Sequence, residues 1–273
     1  TMMPAMLSRE TRQVLRFFAI TLVLSGIIWA GLPMMFGLSR AHVLIPGTFV
    51  PSIAAIVLTA VERGRAGVAE LLGRGIRLRV GAQWYLFSLA VPVAVVIGAV
   101  WLHRAAGGTA ISENDPAQWY MVFPGFLQVF FLSVIGEEFG WRGYALPRLQ
   151  GRYGPLVASL AIGVVWGFWH LPQWFLPGDF HSQIPFGLFL AQDLGLAVIM
   201  TWLFNHTKGS VFIAALFHTA ANLAIGVAPM LPAQTDGSIR PMIIGVAALW
   251  LGAVPIIVGW LRRPQRNLPI PSP

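Results

Sequence analysis

Residues 119–142 read WYMVFPGFLQVFFLSVIGEEFGWR, an apolar run that ends in Glu137, Glu138 and Arg142. A run of roughly 20 apolar residues is long enough to cross a bilayer as a helix. Each ionised side chain at the centre of such a helix costs about 2.5–3.5 kcal/mol. Three ionisable groups together at the end of this run therefore indicate a membrane protein with a functional site at that place.

The whole chain has the composition of a membrane protein, because hydrophobic residues make up 56% of its 273 residues and charged residues only 10%. Eight stretches approach the length of a membrane helix, which predicts an all-α, polytopic bundle that forms one domain, 1–273. The predicted spans are 14–36, 43–61, 83–102, 119–139, 156–176, 185–205, 209–228 and 242–261. The polar motifs fall in a core at about 119–228, and the Pro-rich end, 262–273, is predicted to be a cytoplasmic tail.

The net charge of +8 follows membrane topology and does not indicate nucleic-acid binding. With the N-terminus inside, 15 of the 18 Lys and Arg residues fall on one side of the membrane, and only Arg40, Arg104 and Arg240 fall on the other. This asymmetry is the positive-inside rule, which predicts cytoplasmic termini. The pattern fits a bacterial inner membrane, with the lipid bilayer as a partner. The chain has no cysteine, which excludes disulfides and a cysteine nucleophile.

Polar residues inside the spans form three groups. They are Glu137 to Arg142 in span four, Trp166 to His170 in span five, and His218 to Asn222 in span seven. Glu138 and Arg142 are four residues apart, so they share a helical face in the order that favours an ion pair. Glu137 points about 100° away on a helix of 3.6 residues per turn and lacks that partner. It is therefore the better candidate for a general base.

His218 and Asn222 are also four residues apart. On one helical face they can donate hydrogen bonds to the same oxygen, an arrangement that suits an oxyanion. Pro172 lacks an N–H and should end the helix just beyond His170, which leaves room there for a water or a substrate carbonyl. Trp166 is expected to pack.

Three further polar residues, one inside a span and two near a membrane surface, are outside the three groups. Asp193, inside span six, either makes an interhelical hydrogen bond or polarises a histidine of the site. His103 and His181 are expected near the outer surface, where their roles are those of ordinary surface residues.

The motifs Glu-Glu-x-x-x-Arg at 137–142, aromatic-x-x-x-His at 166–170 and His-x-x-x-Asn at 218–222 occur in this order. They resemble the three motifs of the CAAX prenyl protease and bacteriocin-processing family, also described as type II CAAX endopeptidases or Abi proteins. The second motif of the family usually opens with Phe, whereas here it opens with Trp166, a change that affects pocket shape more than chemistry. The resemblance implies an intramembrane glutamate protease whose partner is a peptide or membrane-protein substrate.

The resemblance also implies a role for each matching position. Glu137 would activate the attacking water with the help of His170. The full catalytic set would be Glu137, His170, His218 and Asn222, of which the last two form the oxyanion hole. The supporting residues would be Glu138, Arg142 and Trp166.

Two alternatives remain beside this interpretation. No His-Glu-x-x-His zinc signature occurs, and we expect no cofactor, but His170, His218 and Glu137 are a two-His, one-carboxylate set of the kind that binds zinc. A different class of function is a non-catalytic transporter or immunity scaffold that uses the buried groups for ligand binding or proton relay. The polar groups cluster in one half of the chain, whereas a transporter often has repeated halves.

Overall fold

The computed structural model describes residues 8–111 and 116–262. Over these residues the chain folds into ten α-helices and contains no strand. The helices are α1 (Arg9–Gly26), α2 (Leu32–Phe36), α3 (Arg40–Gly73), α4 (Ala82–Ala105), α5 (Val122–Val129), α6 (Ile135–Glu138), α7 (Leu146–His170), α8 (Phe186–His206), α9 (Val211–Val227) and α10 (Arg240–Arg262). The predicted tail, 262–273, lies outside the described residues beyond Arg262.

Several connections between these helices are themselves helical. Three are π-helical: Ile27–Gly31, Phe130–Val134 and Phe139–Ala145. Short 3-10 segments are Arg74–Ile76, Pro116–Met121, Leu171–Phe175, Phe180–Gln183 and Pro232–Gln234. The chain is therefore almost continuously helical from the start of the glutamate-bearing run to the end of α7.

Six helical stretches of the described chain are long and apolar enough to cross a membrane. They are Arg9–Phe36, Arg40–Ile76, Ala82–Ala105, Trp119–Phe175, Phe186–His206 and Arg240–Arg262. Trp119–Phe175 covers 57 residues and contains two predicted spans, and α9 matches the predicted span 209–228 but has only 17 residues. All the predicted spans are helical over most of their length, which confirms the all-α membrane fold. The number of crossings and the side of the termini stay predictions.

The surface of the bundle carries large apolar side chains. Val61 is 81% exposed, Leu251 is 78% exposed and Leu86 is 68% exposed. Apolar patches of this extent are unusual on monomeric soluble proteins. In a lipid bilayer these side chains contact acyl chains and are not exposed to water, so these helix faces fit an integral membrane protein.

Helix α7 bends at Gly154, whose φ is 78°. This left-handed value is accessible to glycine because glycine has no Cβ. The part of α7 after the bend, 155–170, corresponds to the predicted span five, and the α-helix ends at His170, two residues before Pro172. The predicted effect of Pro172 is confirmed, since Leu171–Phe175 continues as a 3-10 helix.

The interior is rich in tryptophan, and Trp29, Trp141 and Trp169 are at most 1% exposed. The ring of Trp169 lies 4.6 Å from that of Trp29 and 5.8 Å from that of Trp141 between centroids. Such aromatic pairs stabilise a fold beyond the area that they bury. They fix α7 against the π-helical segment Phe139–Ala145, and α7 also packs on α8.

Candidate active site

The glutamate motif is buried between two irregular helical segments. Glu137 is 3% exposed, Glu138 is 0% exposed and Arg142 is 1% exposed. The motif lies between π-helical stretches, a kind of irregularity that is frequent at functional sites. At Gly140 a Cβ would lie 2.7 Å from the backbone oxygen of Pro51, so glycine is what lets this segment pack closely on α3.

Glu138 and Arg142 form the ion pair that their spacing predicts. Arg142 Nη1 donates to Glu138 Oε1 at 2.9 Å, and the guanidinium lies 4.5 Å from the ring centroid of Trp166. Its Nη2 also contacts Met200 Sδ at 3.2 Å. Burying two charges is costly, and the pair survives only where close contacts compensate for the lost water. The cation here is enclosed by a carboxylate, an aromatic face and a thioether.

His218 and Asn222 are joined to this ion pair from α9. His218 Nδ1 lies 2.9 Å from Glu138 Oε1, and Asn222 Nδ2 lies 3.1 Å from His218 Nε2. Because a carboxylate only accepts, a neutral His218 donates from Nδ1 and accepts the Asn222 N–H at Nε2. The two side chains therefore share a face, as predicted, but they bond to each other and do not both point at a third atom.

Glu137 has a hydrogen-bond partner that the sequence did not suggest. The indole Nε1 of Trp166 donates to Glu137 Oε2 at 2.8 Å. Trp166 packs in the interior as expected, since it is 1% exposed, and the N–H donor at the edge of its indole in addition meets the carboxylate. In the described part of the chain no hydrogen bond is made to the other oxygen, Oε1.

His170 is connected to the rest of the site through Trp166. His170 Nδ1 donates to the backbone oxygen of Trp166 at 2.9 Å. The Trp166 ring lies 5.8 Å from that of His170 and 5.0 Å from that of His218 between centroids. Among the described residues His170 makes no hydrogen bond to Glu137. The three motifs meet around Trp166, with His170 at the edge of the group.

Asp193 and His181 complete the surroundings of His170. Asp193 Oδ2 lies 3.7 Å from His170 Nδ1, and the ring of His181 lies 5.6 Å from that of His170. His103 and His181, expected near the surface, are only 1% and 5% exposed. The expected surface role is wrong for both, since His103 Nε2 bonds to the Thr109 oxygen at 2.8 Å and His181 is enclosed by aromatic rings, whereas their place near the outer face of the membrane stays a prediction.

Two contacts of the site were not predicted from the sequence, and the question of a bound metal stays open. The motifs gave no indication of the Trp166 indole bond or of the Met200 contact, because both depend on how α7 and α8 pack beside the motif. Over residues 8–111 and 116–262, no three His, Asp or Glu side chains are placed to hold a metal ion. The metal dependence of the reaction stays a prediction.

Comparison with known proteins matches the same region. The family model described as type II CAAX prenyl endopeptidase Rce1-like matches residues 118–224, which include all three motifs. The chain is also 28% identical over 222 residues to CAAX prenyl protease 2 of Methanococcus maripaludis, covering 76% of this chain and 82% of the relative. These matches confirm the resemblance that the motifs predicted and do not favour a transporter or immunity scaffold. The chain is similar to the Rce1-like type II CAAX prenyl endopeptidases over its three motifs, and together with the apolar helices this similarity supports an intramembrane endopeptidase.

Proposed function

We propose that this endopeptidase hydrolyses a peptide bond of a membrane-associated protein or peptide with a water molecule that Glu137 activates. The observation that supports this most directly is the difference between the adjacent glutamates. Glu138 Oε1 is bonded to Arg142 and His218, so a cation balances the charge of Glu138 although its Oε2 has no hydrogen-bond partner among the described residues. Glu137 is bonded through Oε2 to a neutral indole, and Oε1 has no described hydrogen-bond partner. A general base needs an oxygen that can accept a proton from water and must not be neutralised by a cation, and Glu137 has such an oxygen in Oε1 and no ion pair among the described residues.

In the proposed reaction Glu137 Oε1 removes a proton from water while the water oxygen forms a bond to the substrate carbonyl carbon. The carbonyl oxygen becomes an oxyanion. The proton then passes to the amide nitrogen, the C–N bond breaks, and the products are a carboxylic acid and an amine. General-base help of this kind contributes typically about 10²–10⁴-fold in rate.

His218 and Asn222 are the proposed oxyanion donors. For both to donate to one oxygen, their mutual bond must open and His218 must carry a proton on Nε2. Glu138, 2.9 Å from His218 Nδ1, supplies a counter-charge for that proton. Once both N–H groups point at the same oxygen, they stabilise the negative charge that develops there. The Glu138–Arg142 pair accordingly holds the donor in place and takes no part in bond breaking.

The substrate proposal is broader than the name of the relative. That relative is a CAAX prenyl protease, so a prenylated C-terminal peptide is one candidate, and a membrane peptide without a prenyl group is the other. The site is proposed to open to the cytoplasm of a bacterial inner membrane. Two contacts support the predicted topology, because each joins loops that are predicted to lie on the same side of the membrane. Arg77 Nη1 donates to the Lys208 oxygen on the predicted inner side, and Arg40 Nε donates to Asp179 Oδ2 on the predicted outer side.

The test uses purified protein in detergent with fluorogenic peptides, each made with and without a prenyl group. Glu137→Gln is expected to lower kcat by about 10²–10⁴-fold, whereas Glu62→Gln, which removes a carboxylate bonded to Arg148 and Tyr144 away from the motifs, is the matched control. Equal cleavage by wild type and Glu137→Gln would refute the proposal. Each reaction is repeated with a chelator. If the chelator abolishes cleavage and added zinc restores it, the reaction depends on a metal and the metal-free mechanism is wrong.

A further inference from the structure

His170 lies at the end of α7 in an aromatic enclosure. Its ring centroid is 4.6 Å from that of Trp169 and 5.1 Å from that of Phe189. Nδ1 points back along α7 to the backbone oxygen of Trp166. Nδ1 therefore carries the hydrogen in the neutral ring, and Nε2 is the nitrogen that can take a proton.

Asp193 is a buried acid on α8 that faces this histidine. Its side chain is only 3% exposed, and Oδ2 lies 3.7 Å from His170 Nδ1. Oδ2 has no hydrogen-bond partner among the described residues. Polar atoms that are buried without a partner are rare and have a structural or catalytic explanation.

The other charged and titratable groups around His170 are already bonded elsewhere. His181 Nδ1 bonds to Asp179 Oδ1 at 2.5 Å, and the second oxygen of Asp179 accepts from Arg40. His218, on α9, is bonded to Glu138. Among the described acids, Asp193 is the one with a carboxylate oxygen within 4.0 Å of a His170 nitrogen, and that oxygen has no hydrogen-bond partner.

We propose that Asp193 is a positioning residue for His170, holding the ring and supplying the counter-charge when Nε2 takes a proton during peptide hydrolysis. The single Nδ1–H donates to the Trp166 oxygen, and a shift of less than about 1 Å lets Asp193 Oδ2, now 3.7 Å away, share that hydrogen. The proton that Nε2 accepts is the one that Glu137 removes from the water, and it passes on to the departing amine, so both groups end the cycle in their starting states. A carboxylate behind a catalytic imidazole acts in this way in other hydrolases. The inference rests on the proposed function, because it needs His170 to take part in the reaction.

The first test is kinetic. Asp193→Asn keeps the size of the side chain and removes the charge, so kcat is expected to fall about 10–100-fold with KM unchanged within twofold, and Asp193→Glu should restore part of kcat. The matched control is Thr201→Val, which removes another buried polar group from α8 and should leave kcat and KM within twofold of wild type. A change in KM alone, or an equal loss in Thr201→Val, would show a merely structural role and overturn the inference.

The second test separates this inference from the proposed function. In a double-mutant cycle, Asp193→Asn should add less than a twofold loss to His170→Gln, because the two side chains act as one unit. Equal losses in both backgrounds would overturn the role of Asp193 while leaving Glu137 as the base. If His170→Gln is too slow to measure, nitrogen NMR of labelled histidines decides. Asp193→Asn must then shift the His170 signals and not those of His218, and unchanged His170 signals would refute the inference.

Discussion

Two histidines of the site each face a carboxylate, but the two pairs are built differently. His218 Nδ1 lies 2.9 Å from Glu138 Oε1, and Arg142 contacts that same oxygen at 2.9 Å. His170 Nδ1 lies 3.7 Å from Asp193 Oδ2, which has no hydrogen-bond partner among the described residues.

The two pairs differ in whether a cation balances the carboxylate. The charge of Glu138 is balanced by Arg142 whether or not His218 is protonated, so the His218 pair keeps its arrangement. The Asp193 carboxylate lacks such a cation, so its environment changes when His170 gains a proton. Low dielectric makes both effects larger than they would be in water. The comparison therefore assigns rigidity to the His218–Glu138–Arg142 contacts on the α9 side, and a contact that changes during the reaction to His170 and Asp193 on the α7 side.

The largest expected effect comes from breaking the balanced pair. Arg142→Met leaves Glu138 buried without its cation, and losing one partner of a buried ion pair costs about 3–5 kcal/mol. The free energy of unfolding, measured by denaturant titration in detergent micelles, should fall by that amount. The double variant Arg142→Met with Glu138→Gln should recover part of the loss. A change below about 1 kcal/mol in Arg142→Met would contradict the rigidity assigned to this side.

The next largest effect is on the proposed oxyanion donor. His218→Ala should reduce kcat by about 10²–10³-fold, the loss typical of one such donor. The matched control is His206→Ala at the exposed end of α8, which should cleave the peptide at the wild-type rate. Unchanged kcat in His218→Ala would assign the oxyanion to other groups.

The sequence predicted the α9 side of the site better than the α7 side. Glu138 with Arg142, and His218 with Asn222, are pairs within single helices, so a spacing of four residues was enough to place each pair on one face. The bond from His218 to Glu138 joins two helices, and no spacing within one helix predicts it. The all-α membrane fold followed from apolar run length alone, because a bilayer leaves the backbone few alternatives.

The α7 side depends on tertiary packing that spacing does not encode. Trp166 opens the second motif, and its indole reaches Glu137 because α7 packs beside the glutamate segment. Asp193 meets His170 only because α8 packs against α7. The break at Gly154 sets the direction of α7 before it reaches His170, and no spacing within the motifs predicts that direction.

A smaller effect is expected from the link between the two sides. Trp166→Phe keeps a large aromatic ring and removes the N–H that donates to Glu137 Oε2. A hydrogen bond to a charged group contributes about 1.5–3 kcal/mol, so kcat should fall about 10–100-fold with the fold intact. Circular dichroism and thermal unfolding check the fold. A Trp166→Phe enzyme with wild-type kcat would show that the indole does not orient the carboxylate.

The smallest effect concerns a third histidine–carboxylate pair, His181 with Asp179, which lies outside the predicted spans. Burial alone would raise the pKa of Asp179, but hydrogen bonds from His181 and from Arg40 lower it from 3.8 to about 2. Because the folded-state pKa is below the ordinary value, the stabilisation is complete above pH 3.8 and is lost as the pH falls toward 2. This pair resembles the balanced His218 pair, since Arg40 supplies the cation.

Asp179→Asn should therefore lower the free energy of unfolding by about 1 kcal/mol at pH 7, a small value because Arg40 is 36% exposed and water screens its charge. The difference in Tm between wild type and Asp179→Asn should stay constant from pH 7 to about 4 and shrink as the pH falls from 3.8 toward 2. Peptide cleavage at pH 7 should change less in this variant than in Asp193→Asn, because Asp179 reaches His170 only through His181. A difference that widens as the pH falls would contradict the balance assigned to the pair. If Asp179→Asn lowers kcat more than Asp193→Asn does, the residue that positions His170 lies in the 3-10 segment that carries His181 and not on α8.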